Sequence, residues 1–462
     1  MANLIVQNLI YFRQKIKSIF SRSKEALINL VDAIAAMKNG DSVVKMSLSG
    51  LFPRHHTSIF HAIDDLFWQE QQKEQKHSQL TEIFAEQCPE PTQRPFYLFG
   101  TDCTSHPRVF AKKLEDRKMV HAPNKVAGAP VTIGHEYSVV AYLPEKEAEN
   151  MSTWVHPLSV ERVTSNELGT AVGLKQLSSI LKGDRFKNRL CINVADAAYS
   201  AASYVKGAEE IEDAVQILRL RGNRVLNRVL RETQEASKKG RPKRYGEELR
   251  LKDPTRADEE IKIKRKLKSG REVELVIGRW KDILIRGKEQ CAPVDVVRVQ
   301  VMTEEGMVYP KPLWLVIVGK KRGLVSLVQI YESYAQRYDL EHFFRFSKRN
   351  LLMDRFQTPE VKHEENWWWL GLIAYTMLYM ARGLSKGMAY PWENGEVRVN
   401  EGKEKTPSQV QRDYERIIRQ IGAEASIPKR RGKSPGRLKG QVVKRRLRQP
   451  VIKKIKKSKK TG

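Results

Sequence analysis

The sequence predicts a mixed α+β chain, and three observations carry that reading. Residues 91–223 run through short apolar strands first and then alternate helix with strand, the pattern of a mixed sheet with helices on its faces. Residues 224–320 form a second strand-rich stretch that interrupts this order. Helical segments flank both, over residues 1–90 and 321–390, and a polar, basic tail closes the chain over 391–462.

The N-terminal segment reads as helices. Residues 8–34 carry scattered apolar positions among Lys and Arg. Residues 58–71 place Ile59, Ile63 and Phe67 at i, i+4, i+8, one face of a helix. Arg54, His55 and His56 stand just before it, so this segment is either a small DNA-end-binding module or a plain helical cap.

Phe96–Gly100 (FYLFG) is a short buried strand, and Asp102 follows it directly. Further strands are predicted over 136–143, near 154–163, over 190–194 and over 215–220, with a helix over 165–181. Residues 224–271 are crowded with Lys and Arg, and strands follow over 272–277, 283–285, 294–301 and 313–318. The apolar run 367–381 has 15 residues, short for a membrane span, and reads as a buried helix.

Composition narrows the partners. Lys and Arg number 83 against 54 Asp and Glu, a net charge of +29 that calls for a polyanionic partner. Residues 429–462 hold 16 of the basic residues and no acid, so the rest of the chain keeps a net charge of +13. The tail has no apolar periodicity and is expected to be disordered when free. The four cysteines, Cys88, Cys103, Cys191 and Cys291, form no C-x-x-C pair. That argues against a structural zinc site or a disulfide framework and fits a reducing cytosol. The N-terminus has no secretory-signal pattern, and no membrane partner is expected.

The chemistry-bearing stretch is residues 331–348, YESYAQRYDLEHFFRFSK. Read as one helix, it gathers Tyr334, Arg337, Glu341 and Lys348 within an arc of about 60°, with Leu340 and Phe344 on another side. The stripe offers phosphate-binding cations around a carboxylate; an amphipathic helix with an Arg–Glu pair reads the same residues as a solvated face. Asp102 (FGTDCTS) and Asp196 (INVADAAY) each follow a buried strand, where a strand-end turn or helix cap is the ordinary role of an acid. Three converging carboxylates would repel one another unless cations lay between them, and oxygen-only ligation suits Mg²⁺ or Mn²⁺.

The pattern Y-x2-R-x3-E-x6-K resembles the YREK signature of bacterial insertion-sequence transposases of the DDE type. The segment around Asp196 resembles their second-aspartate motif, with Ala198 where glycine is common. The resemblance runs from about Tyr97 to Leu384. It implies an RNase H-like catalytic core in two parts, 91–223 and 321–390, interrupted by the β-rich basic insertion 224–320. It implies a catalytic and metal-binding triad of Asp102, Asp196 and Glu341 holding two Mg²⁺ or Mn²⁺ ions. Tyr334, Arg337 and Lys348 would hold phosphates beside the cleaved end. Trp314 would stack on a flipped base, or it is simply core. The implied partners are double-stranded DNA, as terminal inverted repeats and target, and a second copy of the chain assembled on two ends, in the cytoplasm at the nucleoid. A nuclease on the same fold and a catalytically decayed, regulatory DNA-binding protein stay open as alternatives.

The tail yields a test. Counterion release gives duplex binding a log–log salt slope of about −0.9 per neutralised phosphate. Removing residues 429–462 should flatten that slope in a gel-shift titration while discrimination between element ends and random DNA survives. Loss of discrimination would make the tail a reader of sequence instead.

Overall fold

The computed structural model describes residues 2–37, 42–126, 129–146, 153–230, 245–266, 270–285, 292–385, 388, 404–422, 436, 439–442 and 445–453. Four helices come first: α1 Ala2–Ile19, α2 Lys24–Ala35, α3 Thr57–Asp65 and α4 Lys73–Glu86. Four strands follow: β1 Tyr97–Pro107, β2 Lys118–Val126, β3 Ala129–Tyr142 and β4 His156–Val163. Then α5 Gly169–Leu181, β5 Cys191–Ala195, α6 Ala202–Glu209 and β6 Ala214–Leu220 alternate. Seven strands come next: β7 Val225–Arg228, β8 Glu248–Arg250, β9 Glu259–Lys266, β10 Glu272–Leu284, β11 Val294–Thr303, β12 Gly306–Met307 and β13 Leu313–Val318. The last helices are α7 Leu327–Gln336, α8 Tyr338–Asn350, α9 Val361–Ser385 and α10 Pro407–Gln420. The architecture is mixed α+β with parallel and antiparallel strand pairs, consistent with an RNase H-like nuclease fold.

The chain divides into two compact units. One comprises Glu90–Asp102 and Gly173–Tyr338. Here the first half of β1 runs parallel to β5, and β5 runs parallel to β6. Tyr97, Leu98, Phe99, Ile192, Val194, Val215 and Ile217 are all buried, because a parallel sheet is covered on both faces. From β6 the pairing turns antiparallel through β13, β11 and β10. The residues read as an inserted β-rich stretch therefore extend the ladder that begins with β5 and β6.

Two details of that stretch differ from expectation. Strand β9, EEIKIKRK, was hidden by its charge: it lies against β10 with Ile261 and Ile263 partly covered and Lys262 and Lys264 exposed. Strand β10 is one strand rather than two, with a register shift between Trp280 and Ile283 where Asp282 adopts a left-handed conformation (φ 54°). A buried carboxylate anchors the approach to α7. Asp295 takes Arg279 Nε at 2.9 Å and Arg322 Nε at 3.0 Å, and Arg279 also donates to the carbonyls of Arg322 and Val325. Ser326 then caps α7 in a capping box with Gln329.

The other unit comprises Met1–Pro89, Cys103–Val172 and Asp339–Gly462. Its centre is α9, buried along almost its whole length, as its apolar sequence requires. Helices α1, α2, α3 and α10 and strand β4 pack on it. The N-terminal helices thus share a core with β4 and α9 instead of standing alone. The N-terminal stretch 8–34 is two helices, divided at Ser23, which is left-handed (φ 47°). No helix among the described residues is long and apolar enough to cross a membrane.

Part of the tail expected to be disordered is docked. Gln449 N donates to Lys112 O (2.9 Å), Ile452 N donates to Arg117 O (2.7 Å), and Ile452 bridges Lys118 in parallel fashion. The free N–H and C=O groups beside β2 supply what the tail's composition lacks, since backbone pairing asks nothing of side chains. Residues 429–435 and 454–462 lie outside the described residues.

One buried polar cluster ties α9 to β1 and β3. Glu364 Oε2 accepts from Arg108 Nε (2.5 Å); Oε1 accepts from Tyr137 OH and His135 Nδ1, both at 2.7 Å. His135 Nε2 faces the Glu115 carbonyl at 2.8 Å. His106 differs: its Nδ1 accepts from Trp368 Nε1 (2.9 Å), and burial pushes its pKa down to about 3. It is neutral, and its 3.5 Å approach to Glu364 is no ion pair. Burial alone would raise the Glu364 pKa; its ionic and hydrogen-bonded partners outweigh burial and hold it well below the ordinary carboxylate range. A depressed folded pKa stabilises fully above the unfolded value of about 4.3 and is lost as pH falls through the folded one. Glu364→Gln strands buried cations, so urea denaturation at pH 7 should show a loss of about 3–5 kcal/mol. Between pH 5 and 3 the variant's stability should change less than the wild type's. A variant as stable as the wild type would mean the cluster contributes nothing through its charge.

Candidate active site

The site is built from β1 outward. Its parallel register with β5 ends at Thr101↔Ala195. Asp102 is the next residue along β1, and Asp196 is the first residue beyond β5, where the chain turns into a 3₁₀ turn. Neighbouring strands lie about 4.8 Å apart. The paired strands therefore bring both acids to the same end of the β1–β5 ladder. Strand β1 does not stop before Asp102, as the sequence suggested, but runs on to Pro107; its covering changes there, from buried at 97–101 to half-buried at 102–105.

A buried polar chain locks this register, and the sequence reading missed it. Thr101 Oγ1 donates to Asn193 Oδ1 (2.8 Å), and Asn193 Nδ2 donates to Gln216 Oε1 (2.8 Å). Tyr204 OH donates to the same Gln216 oxygen (3.1 Å). The chain spans β1, β5, β6 and α6. Its only sequence signal was polar residues inside runs that otherwise read as fully apolar strands, FYLFGT and CINV.

Asp196 does what a strand-end acid ordinarily does: its Oδ1 accepts from Ala198 N (2.9 Å) and caps the 3₁₀ turn Ala197–Ser200. Its other oxygen has no part in that bond. Asp102 carries an ion pair, with Arg337 Nη1 at 3.0 Å from Oδ2. Both side chains of that pair are less than a fifth exposed. Tyr334 is buried on α7, and burial raises its phenol pKa; Arg337 and Arg219 oppose the rise, and the charge of Asp196 adds to it. This unit thus brings together four of the predicted residues: Asp102, Asp196, Tyr334 and Arg337.

The signature stretch is not a single helix. Arg337 interrupts it as the cap of α7, with its N–H bonded to Tyr334 O, three residues back. The bond tightens the turn locally, and α8 begins at Tyr338. Glu341 and Lys348 sit on α8 in the other unit, Glu341 half-buried in its first turn. Lys348 Nζ donates to Ser105 O (2.6 Å), and burial lowers its pKa against the pull of Asp354. Trp314 is 3% exposed in the core of its unit, its ring 5.3 Å from that of Trp280. No face of it is open to a base in this conformation.

Among the described residues, no group of three or more His, Cys, Asp or Glu side chains is placed to hold a metal ion. Asp102 and Asp196 offer the oxygen donors that suit a hard divalent cation. The Arg337 guanidinium holds one of them in the meantime.

A family model described as DDE superfamily endonuclease matches residues 16–278, more than half of the chain. The chain belongs to this family. The matched stretch contains Asp102 and Asp196 and ends before Glu341. No curated protein matches the chain. Membership makes the chain an endonuclease-type enzyme with DNA as its substrate class, and members of the superfamily use divalent metal ions.

The cap and the chemistry of Asp196 separate by substitution. Asp196→Ala removes the acceptor and should lower stability by about 0.5–2 kcal/mol. Asp196→Asn keeps an oxygen for the Ala198 N–H and should keep most of that stability while losing the charge a divalent ion needs. Thermal melts of both variants with and without Mn²⁺ check this. A metal-induced shift in melting that survives in Asp196→Asn would remove Asp196 from the ion's ligands.

Proposed function

We propose that this DDE endonuclease is a transposase. It binds the ends of an insertion sequence, cleaves the DNA and joins the cut strand to target DNA. The observation that supports the reading is the β1–β5 register, whose last pair, Thr101↔Ala195, immediately precedes Asp102 and Asp196 in a chain of this family. Glu341 is the proposed third carboxylate, from the signature stretch that continues beyond the matched residues.

Asp102, Asp196 and Glu341 would hold Mg²⁺ or Mn²⁺, two ions in this proposal. Such ions polarise the phosphoryl group, lower the pKa of an attacking hydroxyl or water and stabilise the leaving oxygen. The chain's own residues do the rest. Asp102, which pairs with Arg337, would be one of the residues to hold an ion, and Arg337 would offer a planar, five-donor group to the phosphates beside the cut. Lys348, released from Ser105 O, supplies a point charge on the same strand. Tyr334 stays a neutral phenol at working pH, because burial disfavours its ionised form. Trp314, enclosed by its core, is left out of the proposed DNA contacts. Two copies of the chain assemble on two ends.

The test separates chemistry from grip. Glu341→Gln keeps size and removes charge, so Mg²⁺-dependent cleavage of a labelled end fragment should vanish while gel-shift binding persists or improves. Arg337→Ala and Lys348→Ala should each weaken binding to cleaved ends, by about one to two decades for a charge-assisted contact of about 1.5–3 kcal/mol, and leave some cleavage. Full cleavage by Glu341→Gln would overturn the assignment. Cleavage without strand joining would make the protein a nuclease instead.

A further inference from the structure

The loop between β1 and β2 presents an apolar ring where none is needed. Phe110 is 90% exposed. A single exposed hydrophobic residue is unremarkable by itself, but this one stands on an anchored loop. Leu114 is fully buried, and Asp116 binds Arg162 and the Ser165 N–H. Arg117, buried, donates to the carbonyls of Arg108 (3.2 Å) and Val109 (3.3 Å) on one side and of Gln449 (3.2 Å) on the other. The same guanidinium therefore stitches the docked tail segment, residues 445–453, to the loop that carries Phe110. Gln449 N donates to Lys112 O, and Lys112 N to Phe110 O (2.8 Å), which closes the connection.

The surroundings of the ring are mainly cationic, with Glu115 the exposed acid of the loop and Val109 and Leu447 exposed apolar side chains. Lys112 and Lys113 are exposed on the loop, and Arg445 and Arg448 are exposed on the tail. Arg446 pairs with Glu360, which secures the strap, but none of those four side chains has an ion pair among the described residues. An exposed aromatic ring flanked by four uncompensated cations fits a nucleic acid better than a protein partner: every base offers a stacking face and every nucleotide a phosphate. A rigid apolar side chain of this kind also suits a gap where a base has left the stack.

We infer that Phe110, with Lys112, Lys113, Arg445 and Arg448, forms a second DNA contact that receives an unpaired or frayed base, apart from the carboxylates of the candidate active site. This rests on the reading of the chain as a DNA-processing enzyme. The tail is then a fixed wall of the contact and not a free arm.

The experiment uses the full-length protein and two labelled DNAs: an intact duplex, and the same duplex with one bulged 2-aminopurine. The wild type should prefer the bulged DNA by about 5- to 150-fold, the range set by stacking one base on an aromatic ring, and should quench the 2-aminopurine. Phe110→Ala should abolish preference and quenching and leave duplex affinity within about twofold; Phe110→Trp should keep both. Lys112→Ala with Lys113→Ala should weaken both DNAs alike and reduce the salt slope by about two. Phe110 touches no core, so a folding defect does not confound the result, and a matching melt confirms it. A wild type that binds duplex without preference, or Phe110→Ala that keeps preference and quenching, overturns this inference and leaves the proposed function standing. A wild type that binds neither DNA overturns both. Loss of self-association in Phe110→Ala, with DNA binding intact, would assign the ring to a second copy of the chain and overturn the inference too.

Discussion

The parallel pairing of β1 with β5 is the constraint on which the candidate site depends. Five consecutive residue pairs, Tyr97↔Cys191 through Thr101↔Ala195, set the strands in register, and each acid directly follows the last pair. A slip of one residue would turn one aspartate to the opposite face. Apolar burial alone would resist such a slip weakly here, because both faces of β5 are buried. The Thr101–Asn193–Gln216–Tyr204 chain supplies the missing specificity: in a buried setting, each of these groups would lose its partner in any other register.

Two carboxylates on neighbouring strands repel, and the fold answers with a cation of its own. Arg337 pairs with Asp102 in a half-covered position where screening is weaker than in water. A guanidinium is a reversible substitute for a metal ion: it neutralises charge but offers no Lewis acidity. Its place at the junction of α7 and α8 lets one residue both end a helix and hold an acid. Asp196 uses one oxygen as a turn cap, so its geometry is fixed before any ion arrives.

Rigidity elsewhere has the same origin in buried charge. Glu364 holds Arg108, His135 and Tyr137 where α9 meets β1 and β3. Asp295 holds Arg279 and Arg322 before α7. In each unit a buried carboxylate gathers arginine beside an element that carries candidate site residues. Arg117 repeats the device with backbone carbonyls, fixing the β1–β2 loop and the tail together.

Local pattern was enough for much of this. The buried strands around Asp102 and Asp196, the apolar helix at 367–381 and the strand-rich stretch 224–320 follow from the period and composition of the residues themselves. The acids and the signature residues were legible because their types and spacings are local facts. Strand β9 was not, since charged residues form a strand only when a neighbour such as β10 pairs with them. The single signature helix failed for a related reason: the bond from Arg337 N–H to Tyr334 O tightens one turn, and spacing cannot show it. The docked tail needed backbone partners far away in sequence. Trp314 could be core or platform until its neighbours, Trp280 among them, closed over it. The sequence by itself determined which groups are available for chemistry. Only the tertiary structure decided which of them meet, because register, ion pairing and enclosure depend on residues tens to hundreds of positions apart.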